Sequence, residues 1–331
     1  MRDLRGASVV ITGASSGIGR ATAHAFARHG ARLTLAARRE DILQDVVREC
    51  EQLGSDAVAI ATDVTDPDAV RALAQAAEDA FGGIDIWVNN AGTGVAGPYQ
   101  DGRLELHRRT IEVNLLGAMY GAHAVLPLFL RQGHGTLINT VSMGAWAPNA
   151  FAASYTASKF GLRGFAASLR QELGDHPGIH VCGVFPAIID TPGLQHGANV
   201  SGRRINPGPL IYAPEAVART IVALAQRPRA EVAVGWPART AQAAYALMPR
   251  PTERLMGYFA RRALGRAAPA PRTDGTVLQP GPQGASVSGG LRDQKNVPSA
   301  GKLTAIGLAA GAVILMGTTA LASARGSRRA R

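Results

Sequence analysis

The run TGASSGIGR, residues 12–20, lies directly behind the apolar stretch ASVVIT (7–12) and runs straight into IGRATAHAFARHG (18–30), a stretch with helical apolar spacing. Glycines at 13, 17 and 19 between a strand and a helix have distinct duties. They turn the chain tightly, let its backbone approach a pyrophosphate, and let the helix pack close to the strand. The phosphates then sit at the positive end of the helix, where its free N–H groups point. A glycine-rich turn alone is a weak signal, but in this strand–turn–helix context Gly13, Ser15, Ser16, Gly17, Ile18 and Gly19 read as a dinucleotide-binding turn.

Outward from the turn the same alternation continues. RLTLAA (32–37), DAVAIA (56–61), IDIWVN (84–89), GTLINTV (135–141), IHVCGVF (179–185) and EVAVG (231–235) are short apolar runs. The early ones are separated by DILQDVVRECEQLG and DAVRALAQAAEDAFG, each with a helical apolar face and a glycine stop. Strands apolar throughout, joined by helices, imply an α/β fold of Rossmann type. It is a doubly wound parallel sheet of about seven strands with helices on both faces.

The end of the second strand selects the cofactor. An acidic residue there would hold an adenosine ribose hydroxyl, whereas an arginine accommodates a 2′-phosphate. The sequence reads LAARRED, which puts Arg38 and Arg39 at that place and leaves Glu40 to begin the next helix. The expected cofactor is therefore NADP(H).

YTASK, residues 155–159, holds the only lysine before Lys295, in a chain that otherwise uses arginine. Tyr155 and Lys159, at i and i+4, share one helix face. A free phenol titrates near pH ~10, too high for acid–base work, and a neighbouring cation is expected to lower that value. Arginine's planar fork is a poor replacement for a compact ammonium at such a place.

With TGASSGIG, NNAG (89–92) and YTASK, the chain resembles the short-chain dehydrogenase/reductase family, over about residues 5–235. The glycine spacing and length are similar to its oxidoreductase branch, not to the longer sugar-nucleotide epimerases. The resemblance implies a catalytic group of Asn114, Ser142, Tyr155 and Lys159. Tyr155 would be the general acid/base, and Ser142, after TLINTV, would hold the substrate oxygen. Lys159 would also bind the nicotinamide ribose, and Asn114 would support a water relay to it. It further implies cofactor contacts by Asp63 to adenine, with Val64 beside it, by Asn89, Ala91 and Gly92, and by Pro186, Ile189 and Thr191 along the carboxamide. The family has glycine where Ala187 stands, which bears on the local backbone. A homo-oligomer built partly from the helix of Tyr155 is also implied.

The net charge of +11 is not a nucleic-acid signal. From Arg266 onward nine Lys/Arg face two Asp/Glu, so the first 265 residues carry only +4, and no basic patch interleaved with aromatics appears among them. Cys50 and Cys182 form neither a metal nor a disulfide pattern, which suits a reducing compartment. The N-terminus enters a strand at once and reads as lacking a signal peptide.

The catalytic domain is expected to span 1–265, including helices over 237–265. The second of these sets Leu255, Met256, Phe259 and Leu264 among arginines, as a helix packed on the core or one lying on a membrane surface. Residues 266–301 are rich in Pro, Gly, Ser and Ala and read as a disordered linker. Residues 302–324 hold a charge-free run long enough to cross a bilayer, and 325–331 form a basic tail. The tail's charge favours the cytoplasmic side, as does a cofactor-using domain, and one span cannot place both there. Either the short tail crosses despite its charge or the segment lies in the interface.

The expected function is hydride transfer between NADP(H) and a carbonyl/alcohol substrate, lipophilic in view of the aromatic residues Trp146 and Phe151 and the membrane-proximal setting. The catalytic domain would be cytoplasmic and membrane-associated. The alternative is a non-catalytic membrane-tethered nucleotide-binding scaffold or redox sensor, which would predict erosion of the catalytic group.

Overall fold

The computed structural model describes residues 3–292, apart from 207, 209, 282 and 283. The segments 302–324 and 325–331, expected as membrane anchor and tail, lie outside the described residues.

Seven parallel strands form the central sheet: β1 Ser8–Thr12, β2 Arg32–Ala37, β3 Ala57–Ala61, β4 Ile86–Asn89, β5 Gly135–Thr140, β6 Ile179–Pro186 and β7 Glu231–Val234. Their order is β7-β6-β5-β4-β1-β2-β3. Each apolar run picked from the sequence becomes one of them. The order reverses between β1 and β4, so their carboxyl ends part and leave the crevice in which doubly wound sheets bind ligands.

Period-two alternation along the strands divides the core. Val9, Ile11, Leu33, Leu35, Ile86 and Val88 face one side. There they meet α1 (Gly17–Ala27), α2 (Glu40–Gln52) and, later in the chain, the helix Pro214–Gln226. Val10, Trp87 and Leu137 face the other side, against α3 (Pro67–Phe81) and two later helices, Gly117–Gln132 and Ala153–Glu172. Trp87 has no exposed surface, and truncating such a side chain to alanine costs on the order of 3–5 kcal/mol.

The expected glycine stops are visible: Gly30, Gly54 and Gly82 each have positive φ after a helix. α3 also starts cleanly, with Asp66 Oδ1 accepting from Asp68 N at 2.9 Å and Ala69 N at 3.3 Å, and Pro67 in the first turn.

α4 (Leu104–Ile111) runs through a π-helical turn, Glu112–Leu116, into α5 (Gly117–Gln132). This continuous stretch is the one described helix long and apolar enough to cross a bilayer. Leu106, Val125 and Phe129 on it are buried inside the protein, whereas Leu104 and Leu130 are exposed. After α6 (Ala153–Glu172), a short α7 (Gly193–His196) and α8 (Pro214–Gln226), the chain forms α9 (Trp236–Leu247) and α10 (Pro249–Arg266). α10 packs against α9, and its Leu255, Tyr258 and Phe259 are exposed instead of facing the core.

Candidate active site

The phosphate-binding turn is closed by contacts that leave no room for side chains. A Cβ on Gly13 would lie 2.8 Å from Ala91 Cα, and one on Gly19 would lie 2.1 Å from Gly13 O. Gly13 and Gly17 also have positive φ, 67° and 54°. Asn90 pins the turn to the end of β4, with Nδ2 donating to Thr12 O at 3.0 Å and to Gly13 O at 3.3 Å. Thr12 Oγ1 accepts from Asn90 N (3.0 Å) and Ala91 N (3.2 Å). Neither Asn90 nor Thr12 was singled out in the sequence. Ser15, Ser16 and Ile18 complete the turn, and Ser16 takes the capping position of α1 without a side-chain capping bond.

At the end of β2, Arg38 and Arg39 stand where the sequence placed them. Arg109, from α4, joins them unannounced by any motif. It pairs with Asp63, whose Oδ1 accepts from Thr65 N (3.0 Å) and Thr65 Oγ1 (2.8 Å). Burial pushes the Asp63 carboxyl up, but the Thr65 and Arg109 contacts prevail and hold it below its usual range. Burial lowers the Arg38 guanidinium, Asp63 opposes that, and the cations of Arg109 and Arg39 reinforce it. Arg109 also pairs with Glu112 at 3.7 Å, so three guanidinium groups face two carboxylates and leave an excess of one positive charge, which fits a phosphate. Val64, by contrast, is buried against Gly117, where a Cβ would meet its Cγ2 at 2.9 Å.

Asn89, expected to line the cofactor, points into the protein. Its Oδ1 accepts from Trp87 Nε1 at 2.8 Å, and its Nδ2 donates to Ala118 O and Asn139 Oδ1, each at 3.0 Å. The pleat of β4 puts Asn89 on the buried side of the sheet, so its amide ties strands to α5. Ala91 and Gly92 do face the crevice side of this turn. A Cβ on Gly92 would lie 3.4 Å from Asn114 Oδ1 and 3.9 Å from Lys159 Nζ.

The four expected catalytic residues converge beside Gly92 from three elements. Tyr155 and Lys159 come from α6, Asn114 from the π-helical turn, and Ser142 from the turn after β5. Asn114 is buried and fully engaged: Oδ1 accepts from Thr93 N (2.8 Å), and Nδ2 donates to Thr93 O (2.9 Å) and Ser158 Oγ (3.0 Å). Ser142 Oγ accepts from Gly144 N at 3.0 Å and is hydrogen-bonded to the Tyr155 phenol. Gly94 and Gly144 flank the tyrosine ring, where a Cβ on either would make ordinary contact with it at 3.4 and 3.6 Å.

The expectation that Lys159 lowers the phenol is corrected here. Burial raises Tyr155 above its usual value, and only the Ser142 hydrogen bond opposes this. Lys159 Nζ donates to Thr140 O at 2.9 Å and lies 5.7 Å from the tyrosine ring centre. Its own burial brings it down to about 8.

Along the far wall, Pro186 ends β6, and Ile188–Ile189 pair in parallel with Ile211–Tyr212. Thr191 packs on the phosphate turn, 3.1 Å from where a Gly17 Cβ would be. Ala187 has an ordinary backbone, because Phe151 is the one described non-glycine residue with positive φ, 63°. Trp146 is not a substrate wall: it is buried, stacked on Phe185 at 4.1 Å and directed at Glu231, with Nε1 donating to Oε2 at 3.3 Å. Phe151 is partly exposed, and its carbonyl accepts from Gly97 N at 2.9 Å.

Residues beyond α10 run back over this crevice. Thr276 O and Leu278 O accept from Arg38 at 2.9 and 3.4 Å, and Gly281 O accepts from Arg39 at 3.0 Å. Ser286 O accepts from Gly17 N at 3.0 Å. The segment expected to be a disordered linker thus has defined partners in its described part. Its many glycines and small residues allow close approach, as at Gly289, where a Cβ would lie 2.8 Å from Thr191 O. Arg38, Arg39 and the Gly17 amide, donors expected for a dinucleotide's phosphates, thus line one groove under this segment, and that geometry fits the group.

A family model described as short chain dehydrogenase matches residues 7–199. An uncharacterized oxidoreductase of Bacillus subtilis is 34% identical over 259 residues, covering 77% of this chain and 73% of that protein. The 3beta-hydroxysteroid dehydrogenase 1 of Eggerthella lenta is 36% identical over 230 residues, 67% of this chain and 88% of that protein. Among solved structures, a metagenomic short-chain oxidoreductase in complex with NADP is similar with a TM-score of 0.61 and 32% identity. It covers 70% of this chain and 98% of its own. The alcohol dehydrogenase of Thermococcus sibiricus complexed with 5-hydroxy-NADP has a TM-score of 0.61 and 27% identity, over 69% of this chain and 95% of its own.

Proposed function

Since the chain belongs to the short chain dehydrogenase family, we propose that it is an oxidoreductase that interconverts a lipophilic carbonyl compound and its alcohol, with Tyr155 as the general acid/base. NADP(H) is the cofactor, and when bound it supplies or takes up the hydride. Gly13, Gly17, Gly19 and the amides of their turn would hold its pyrophosphate, Arg38 and Arg39 its 2′-phosphate, and Lys159 its nicotinamide ribose.

The observation that carries the reading is the convergence of Ser142, Tyr155, Lys159 and Asn114 around Gly92 and Gly94, next to Ala91, on which Gly13 of the phosphate-binding turn packs. In carbonyl reduction the Tyr155 hydroxyl gives its proton to the substrate oxygen; in alcohol oxidation the phenolate takes the proton from the alcohol. Ser142 Oγ–H hydrogen-bonds the same oxygen and stabilises charge growing there. Asn114 clamps Thr93 and Ser158, which fixes α6 against the π-helical turn.

The lipophilic preference is supported by a relative named for a hydroxysteroid. The test is a turnover screen with NADPH and lipophilic aldehydes, ketones, steroids and retinoids, using Tyr155→Phe as control. NADPH binding without turnover across the panel would favour the non-catalytic scaffold instead.

We further propose that the protein associates with membranes through residues 302–324 and self-associates through the exposed side of α6, where Phe160 lies beside Gly164. Val313→Arg in the full chain should move the protein from the membrane to the soluble fraction. Unchanged fractionation removes the anchor.

A further inference from the structure

The segment after α10 follows a defined course in two halves. Its outer half, 267–278, is zipped to the loop 192–206. Asn199 N donates to Thr273 O (2.8 Å) and Thr273 N returns to Asn199 O (2.9 Å). Arg204 N donates to Ala268 O (2.8 Å), and Thr276 N to His196 O (2.8 Å). Val277 is buried among Val95, Leu106, Ala198 and Val200, so this half closes an apolar cluster and is held by burial as well as by hydrogen bonds.

Leu278 packs, partly buried, against the same cluster, and the inner half beyond it, 279–281 and 284–292, adds no residue to that cluster. It uses the polar groups of the crevice. Arg39 and the Gly17 amide donate to its carbonyls, and Arg20 donates to Ala285 O, while both acceptors of Arg38, Thr276 O and Leu278 O, belong to the outer half. It ends on Asp190, a carboxylate with no exposed surface. Ser288 Oγ donates to Asp190 Oδ2 (2.8 Å), Leu291 N to Oδ1 (3.0 Å) and Arg292 N to Oδ2 (3.2 Å). Glycine is needed for this fit. A Cβ on Gly284 would lie 2.2 Å from His196 Nδ1, and one on Gly289 would lie 2.9 Å from Asp190 Oδ1.

We propose that the inner half is a built-in competitor of the cofactor, a strap whose backbone carbonyls take the places of phosphate oxygens and which must lift before a dinucleotide enters. The inference rests on the NADP(H) reading of the groove. Two features make the exchange workable. The strap's acceptors are neutral carbonyls, and charged phosphate oxygens make stronger bonds to the same guanidinium groups and amide. The outer half stays fixed to the substrate-side loop and keeps its bonds to Arg38, so lifting the inner half frees Arg39, Arg20 and the Gly17 amide without freeing the whole segment. The observed cofactor affinity is then the intrinsic affinity reduced by the fraction of molecules with the strap lifted. Because NADPH and NADH meet the same strap, it weakens both by one factor.

The experiment uses the full chain and Gly289→Val, with dissociation constants for NADPH and NADH measured by titration calorimetry. If the strap is lifted in about one molecule in ten, the variant binds both cofactors about tenfold more tightly, with the ratio between them unchanged. Hydrogen exchange in the unaltered protein gives a second readout that needs no variant. The amides of Leu291 and Arg292 are protected in the free protein and exchange faster once NADPH is saturating. Unchanged dissociation constants in the variant, or greater protection of those amides with NADPH, overturn the strap while leaving the cofactor reading intact. Absence of NADPH binding in both proteins overturns both.

Discussion

The Lys159 ammonium rests on the carbonyl oxygen of Thr140, 2.9 Å away, in a place almost closed to water. One hydrogen bond does not replace a hydration shell, so burial lowers the amine from its usual value to about 8. Between that value and the unfolded value the unfolded chain holds the proton and the native chain releases it. Stability therefore rises with pH across the window from 8 to 10.5, and below it the buried cation carries its full cost. Lys159→Met removes this slope, worth about 3 kcal/mol at most. Urea unfolding at several pH values should show wild type gaining on the variant as pH rises, and parallel curves would contradict it.

Tyr155→Phe keeps the ring between Gly94 and Gly144 and removes only the proton carrier. Turnover should fall by about 10²–10⁴-fold, with NADPH affinity nearly unchanged by fluorescence titration. Because burial holds the phenol above its usual range, alcohol oxidation should accelerate as the pH becomes alkaline. Carbonyl reduction should stay level until the phenol itself loses its proton. Equal pH profiles in the two directions would show that another group carries the proton.

The strands and the phosphate turn were legible because local pattern determines them. Val9, Val10 and Ile11 alternate between two faces, and Gly13 and Gly19 have backbone contacts that only glycine tolerates. Residues of the site that depend on a distant partner were not legible. Arg109 matters because the fold brings α4 beside Asp63, and Asn90 because the end of β4 meets Gly13. Trp146 misled for the same reason: its place in the chain suggested the crevice, and Phe185 and Glu231 draw it into the core. Composition could not reveal the course of residues 267–281 and 284–292, since the small residues of a flexible linker are also those a close-fitting strap needs.

Arg38→Asp should invert the cofactor preference. The substitution replaces a cation by an anion where a 2′-phosphate would lie, and it leaves a carboxylate able to accept from a ribose hydroxyl. A charged hydrogen bond of this kind is worth about 1.5–3 kcal/mol. The NADPH-to-NADH affinity ratio should thus drop by roughly 10- to 100-fold. Arg38 also holds Thr276 O and Leu278 O, so the ratio is the proper measure, because any change in the overlying segment cancels in it. An unaltered ratio removes Arg38 from the phosphate site.

The two neighbouring asparagines should behave in opposite ways. Asn89→Ala strands Trp87 Nε1 and the Asn139 side chain inside the protein. Each buried polar group left without a partner costs about 1–3 kcal/mol, so the loss should appear in thermal or urea unfolding while NADPH affinity barely changes. Asn90→Ala leaves the core intact but frees Thr12 O and Gly13 O from their shared donor, letting the phosphate turn relax. Its stability loss should be smaller, about 1 kcal/mol, and its NADPH dissociation constant should rise about tenfold, the equivalent of about 1.4 kcal/mol. The pair separates holding the sheet together from shaping the groove. If Asn89→Ala weakens NADPH binding as much as Asn90→Ala does, Asn89 belongs to the cofactor site after all.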